Sequence, residues 1–348
     1  MEGYFLRVQR ETASRFWINN VTRKEARIAL EAGAVGCTQN PSYVWKMLTS
    51  DEEKEFAEAT LTNVFEQTKD DAEALVRTQR ELVGTIASIF RPLYESSEGR
   101  LGYVSIQGDP FDESFEAIMR MARDNRAKGS NIMIKIPVTM DGLKAVRQCI
   151  REGMPVNATE VMSLRQAMDL CDVYDDAIKG MKNPPRVYLS HIAGIFDEYL
   201  ADATAKAGLD ISTDHLFQAG KIVAQKICSY MDDRATEVGF INGGARGLHH
   251  FTEWVGANIS TTINWKGTAE DLVKLNPPVV SRFDCPVPER VVDSLMRIPD
   301  FAKAYLPEGL EPHDYEEYGP VVLFCSSFRK AWKSATARIG ELRTAAGA

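Results

Sequence analysis

Lys135 lies inside the apolar run NIMIKIP (residues 131–137), and a lysine there needs a reason. An ammonium ion in an apolar setting is costly unless it is paired, snorkels to water or loses its proton. In the last case the free amine is a nucleophile that condenses with a carbonyl to form a Schiff base. By pattern alone, the commoner reading is a strand-end lysine that reaches solvent or a carboxylate. Other polar residues also end apolar runs: Asn19-Asn20, Gln39-Asn40-Pro41-Ser42, Gln107 with Asp109, Asn157 with Thr159, Ser190-His191, and Asn242 with Arg246 just beyond. Period-two alternation sets Trp17 with Asn19, Met133 with Lys135, Asn157 with Thr159, and Tyr188 with Ser190 on shared faces. One face thus collects amides, hydroxyls and one amine. Such groups both donate and accept hydrogen bonds, which suits a polyhydroxylated ligand. Arg246, in NGGARG, reads either as a loop charge or as part of a glycine-rich turn that cradles an anion.

The runs that carry these residues read as strands at 15–19, 34–39, 102–107, 131–136, 155–159, 186–190, 237–242 and 258–263. Between most of them lie stretches with three- and four-residue apolar spacing, such as DGLKAVRQCIREG and LRQAMDLCDVYDDAIKGM, which predict helices. VTRKEARIALEAG runs from a Thr22 cap to a stop at Gly33. Eight strands alternating with helices predict a closed (β/α)₈ TIM barrel, whose chemistry sits at the C-terminal strand ends. An open doubly wound sheet is the competing arrangement, but no GxGxxG follows the first strand. Residues 41–101 should hold two or three helices. Residues 266–348 should form helices packed outside the barrel, ending in a charged, Ala-rich helix near 324–345. A single domain spanning 1–348 is expected.

The bulk numbers narrow the function classes. A net charge of −8 argues against nucleic acid or another polyanion as partner. The apolar windows are short and broken by charge, so no membrane span is expected. The opening residues MEGYFLRVQRETASRF lack the pattern of a signal peptide. The six cysteines contain no CxxC pair and read as reduced, buried thiols of a cytoplasmic protein. The histidines give no metal site by spacing, and His249-His250 should point apart on a helix.

In this order the motifs FWINNVTR (16–23), GCTQNPS (36–42), YVSIQ (103–107), IKIPVTMDGLKAV (134–146), GMPVNATEVMSLRQA (153–167) and LSHIAG (189–194) resemble the transaldolase family. INGGARG (241–247) matches more weakly. The resemblance implies a (β/α)₈ barrel without metal or cofactor that works through a lysine Schiff base, and an enzyme of carbohydrate metabolism that acts on a ketose or ketose phosphate. Its barrels often assemble as homo-oligomers. Lys135 falls on the Schiff-base lysine, which reverses the commoner reading given above. Asn40, Asn157 and Ser190 fall on residues that contact the sugar donor, Thr159 on the threonine that positions a water, and Arg246 on a phosphate-binding arginine.

Three departures go with the resemblance. Asn19 stands where the family carries an aspartate, and Gln107 where it carries a glutamate. Ile192 and Ile195 occupy the places of an aromatic residue and a second phosphate-binding arginine. An amide keeps the shape but cannot shuttle protons, a loss of about 10²–10⁴ in rate. His191, with an ordinary pKa near neutrality, is expected to replace the lost relay. Glu160 and Asp109 are acidic alternatives, but alternation turns each away from the shared face. The leading expectation is an enzyme that makes or cleaves a C–C bond, by transfer of a dihydroxyacetone unit or by aldol cleavage. The alternative is a non-catalytic carbohydrate binder that kept the lysine.

Overall fold

The computed structural model describes residues 2–347. Eight parallel strands form one closed barrel in chain order: β1 (Arg15–Asn19), β2 (Ala34–Gln39), β3 (Tyr103–Gln107), β4 (Ile132–Pro137), β5 (Val156–Val161), β6 (Val187–His191), β7 (Gly239–Asn242) and β8 (Ile259–Ile263). β8 pairs with β1, which closes the sheet and excludes the open alternative. All eight predicted strands form; β5 ends two residues further than expected, and β4 and β6 are each shifted by one.

Local chemistry explains why the helices start at the strand tops. Thr22 and Glu25 form a reciprocal capping box, and the helix Arg23–Ala32 stops at Gly33 in the left-handed region (φ 108°). Thr139 accepts from the Gly142 N–H (3.0 Å), and Ser163 accepts from the Gln166 N–H (3.2 Å). Each such cap satisfies backbone donors that a helix start otherwise leaves without partners, typically worth about 1 kcal/mol. Three helices fill the long connection: Tyr43–Thr49, Lys54–Phe65 and Asp71–Ser96.

Two hydrophobic layers result. The larger lies between sheet and helices. The smaller plugs the barrel from within and comprises Trp17, Val35, Tyr103, Met133 and Ile241, with Tyr188 against it. The Trp17 and Tyr188 rings meet edge-on, with centroids 5.4 Å apart. Room for them comes from glycine: a Cβ on Gly36 would lie 2.4 Å from the Trp17 ring, and one on Gly239 2.5 Å from the Tyr188 ring.

The C-terminal helix, Gly319–Ala346, begins earlier than predicted, and its position corrects the expectation of purely external packing. Phe324, Ser327 and Phe328 reach the C-terminal mouth of the barrel and line its cavity. No helix among the described residues is long and apolar enough to cross a membrane.

Filling the space above Gly36 should overpack the barrel plug. Gly36→Ala is expected to cost about 1–3 kcal/mol, read as a lowered urea midpoint with an unchanged slope.

Candidate active site

Above the aromatic plug the strands carry a belt of hydrogen-bonded amides and hydroxyls. Asn19 Nδ2 donates to Asn264 Oδ1 (3.0 Å), and its Oδ1 accepts from Thr38 Oγ1 (2.9 Å). Thr38 also meets Thr262 Oγ1 at 2.8 Å. Across the barrel Ser190 Oγ donates to Asn157 Oδ1 (2.6 Å), and Asn157 Nδ2 donates to Ser105 Oγ (3.3 Å). The parallel register sets Lys135 between Gln107 on β3 and Asn157 on β5.

A cavity of about 440 Å³ opens over this belt. Of the residues expected at the site, Asn19, Asn40, Lys135, Ser190 and Arg246 line it. Asn157, Thr159 and Gln107 do not; they are buried in the adjoining strands. Lys135 also faces a smaller cleft on the β3–β4 side, shared with Gln107, Asp109 and Glu113.

Lys135 is 7% exposed, and burial lowers its pKa from 10.5 to about 8, against an opposing pull from Glu160. Its Nζ lies 5.9 Å from the ring centroids of both Phe324 and Phe328 on the C-terminal helix. No carboxylate among the described residues comes within ion-pair distance, 4.0 Å, of it. Desolvation therefore outweighs charge pairing, and about a tenth of the amine is free at pH 7.

Asn40 is held by its turn. Its Oδ1 accepts from Asn20 Nδ2 (2.8 Å) and from both the Ser42 N–H (3.0 Å) and Oγ (2.6 Å), which leaves Nδ2 as the end for a ligand. Thr159 Oγ1 and Gln107 Oε1 are buried without a hydrogen-bond partner among the described residues. Buried polar atoms are almost always paired, so such orphans mark places for water or ligand. Arg246, about half-exposed, pairs with Glu198 (2.6 Å) at the rim. A surface pair of this kind is worth about 0–1 kcal/mol, so an anionic ligand can displace the carboxylate. Ile192 and Ile195 form the apolar wall beside it.

His191 lies elsewhere, which corrects its expected role as a relay. Its ring points into the outer layer beside Phe240 and Trp254, with Nδ1 2.9 Å from the Val161 carbonyl and Nε2 3.1 Å from that of Gly220. Burial holds its pKa down to about 4, so the ring is neutral near pH 7 and out of reach of the cavity.

The histidine doublet also departs from expectation. On the four-residue helix His249–Thr252 the two rings lie tilted at 44° with centroids 4.0 Å apart, and their nitrogens approach Asp197 within a metal-ligand radius. His250 nevertheless has both nitrogens engaged: Nδ1 accepts from the Arg246 N–H (3.2 Å) and Nε2 donates to Asp197 Oδ2 (3.1 Å). That tautomer carries its proton where a metal would bind. The pair acts as a strut under the Arg246 loop.

Alternation concealed Glu160. β5 carries an irregularity between Ala158 and Val161, and Glu160 adopts φ 66°. A non-glycine residue there pays about 1–3 kcal/mol. The bulge swings the carboxylate onto Gln107 Nε2 (2.8 Å), with Cys325 Sγ 3.1 Å from its other oxygen. Beside it, burial and the Glu160 charge push the Glu113 carboxyl up to about 9. The signal available in the sequence was an acid inside the apolar run PVNATEVM, the same oddity that singles out Lys135.

A family model described as transaldolase/fructose-6-phosphate aldolase matches residues 16–299. Transaldolase 1 of Streptomyces avermitilis is 30% identical over 215 residues, covering 56% of this chain and 54% of that protein. The transaldolase of Acidothermus cellulolyticus is 28% identical over 172 residues (47% and 45% of the two chains), and that of Thermobifida fusca 24% over 240 residues (64% and 55%). The chain spans about half the length of the curated relatives it matches.

Competitive acetylation at varied pH should read the amine directly. Lys135 is expected to titrate near 8, with labelling that rises about tenfold from pH 7 to 9, while exposed lysines titrate near 10.4.

Proposed function

The chain belongs to the transaldolase/fructose-6-phosphate aldolase family, and from that premise we propose that it makes or breaks a C–C bond in a ketose or ketose phosphate through a Schiff base on Lys135. The observation that carries this reading is the desolvated Lys135 amine, which faces a polar cavity without a carboxylate in contact.

The reaction balances as follows. The free Nζ adds to the ketose carbonyl carbon, and the carbonyl oxygen departs as water with two protons, leaving an iminium. The hydroxyl on the far side of the adjacent C–C bond gives its proton to the water held at Gln107 Oε1 and Thr159 Oγ1 and becomes an aldehyde. As that bond breaks, its electron pair flows into the iminium and forms an enamine. Addition of the enamine to an acceptor aldehyde gives transfer; protonation and hydrolysis give release of dihydroxyacetone. Both outcomes share every step up to the enamine.

The other residues take roles suited to their positions. Asn40 Nδ2 and the Ser190–Asn157 pair bind the sugar hydroxyls. Gln107 Oε1 and Thr159 Oγ1 hold water for the carbonyl oxygen's departure. Arg246 binds an anionic end of the substrate at the rim. Asn19, tied at both ends of its amide, orients the donor but cannot serve as the base.

Borohydride trapping with ketoses, ketose phosphates and dihydroxyacetone, read by peptide mass spectrometry, tests this proposal. A sugar-derived adduct on Lys135 is expected, absent in Lys135→Met. Sugar binding with no adduct from any donor would favour the non-catalytic binder.

A further inference from the structure

We propose that Glu160 is the positioning carboxylate of this site: by accepting from Gln107 Nε2, it turns the amide so that Oε1 faces the reacting amine and its water. The inference rests on the Schiff-base reading above, and it gives the work of a third-strand carboxylate to a two-residue unit shared between β3 and β5.

The two ends of a glutamine amide are nearly equal in shape, so its hydrogen-bond partners decide which end faces a ligand. Here Nε2 lies 2.8 Å from Glu160 Oε1, and a carboxylate oxygen accepts only from the NH₂ end. Gln107 Oε1 is thereby left buried and without a partner among the described residues. Gln107 is the register partner of Lys135 and shares a cleft with it, so the orphan acceptor belongs to the space beside the amine. A water there can donate to Gln107 Oε1 while its lone pair meets the departing carbonyl oxygen's proton traffic.

The charge state of Glu160 follows from its surroundings. Gln107 Nε2 and Cys325 Sγ, its two hydrogen-bond partners, are both donors, and Lys135 and Arg329 add positive potential. Burial opposes ionisation, and Glu113 is the acid close enough to compete for the charge. Burial and the neighbouring Glu160 push the Glu113 carboxyl up to about 9, so in this reading the proton resides on Glu113 and the charge on Glu160. A fixed charge also acts on Lys135: it holds the lysine pKa above the value that burial alone would give.

The strained backbone supports the same assignment. Glu160 is 1% exposed and sits at φ 66° on an irregular strand, an arrangement that places a costly charge against one amide and one thiol. A leucine or isoleucine in a regular strand would have satisfied packing alone.

The test compares Glu160→Met with the exchange Gln107→Glu/Glu160→Gln, in the full chain, by single-turnover borohydride trapping and by sugar affinity. Glu160→Met is expected to slow adduct formation about 10²-fold, to leave sugar affinity within about threefold, and to move the Lys135 titration midpoint to lower pH. The exchange keeps one carboxylate and one amide in contact, and it should restore trapping to within about tenfold of wild type. The midpoint reads the loss of the Glu160 charge; a slowed trapping rate in folded protein at unchanged sugar affinity, rescued by the exchange, is what a merely structural role would not give. Trapping by Glu160→Met at the wild-type rate would overturn the proposal, whatever the midpoint. So would a folded exchange variant that traps no faster than Glu160→Met. If Glu160→Met does not fold, the exchange variant alone decides: fast trapping supports the unit and slow trapping rejects it. Failure of the wild type to trap any donor would instead remove the Schiff-base reading, and this inference with it.

Discussion

An amine that must shed its proton before it can react has to be kept from water, and most of the upper barrel serves that one requirement. Trp17, Tyr188 and Met133 seal the floor beneath Lys135, and Phe324 and Phe328 come down from the C-terminal helix above it. Full desolvation can move a lysine by 3–5 units. Lys135 moves less, to about 8, because the Glu160 charge pulls the other way. The site thus balances two opposed terms. In the proposed reaction, burial makes the amine available as a nucleophile, and the nearby charge would keep an iminium from being an unpaired buried cation.

The belt around the amine is built almost wholly from neutral groups, and that choice has a cost as well as a use. Asn19, Thr38, Asn157, Ser190 and Thr262 satisfy one another across neighbouring strands without adding charge near Lys135. Carboxylates in those places would raise the lysine pKa and return the amine to its protonated form. Apart from the buried Glu160, the charge that serves the site stands at the rim, where Arg246 is propped from below by the His250–Asp197 strut and from the side by Glu198.

The fold was legible because its signals are local and repeated. Short apolar runs recur in all eight units, and side-chain caps such as Thr22 with Glu25 mark several helix starts, so small errors at the ends of β4, β5 and β6 left the topology intact. Lys135 was legible as a charge out of place. What stayed hidden depended on departures from regular geometry or on distant chain segments. Period-two alternation turned Glu160 outward because it assumes a regular strand, and the irregularity at residues 158–161 cancels that assumption. Phe324 and Cys325 lie more than 160 residues from Glu160 along the chain, and no local pattern announces that meeting. His191 shows the converse error. Adjacent residues on a strand face opposite sides, so a histidine beside Ser190 belonged to the outer layer from the start.

The irregularity in β5 also bears on how many functions a barrel wall can carry. Each strand of a closed sheet has only one or two inward places near its top, and eight strands set a ceiling on the groups that can converge there. By breaking the alternation, β5 offers Thr159 and Glu160 in succession, so one strand contributes a hydroxyl and a carboxylate to the same neighbourhood. Capacity is gained without a ninth strand or an inserted loop. The carboxylate beside Gln107 of β3 comes in this way from β5, two strands along, with the closure of the barrel left untouched.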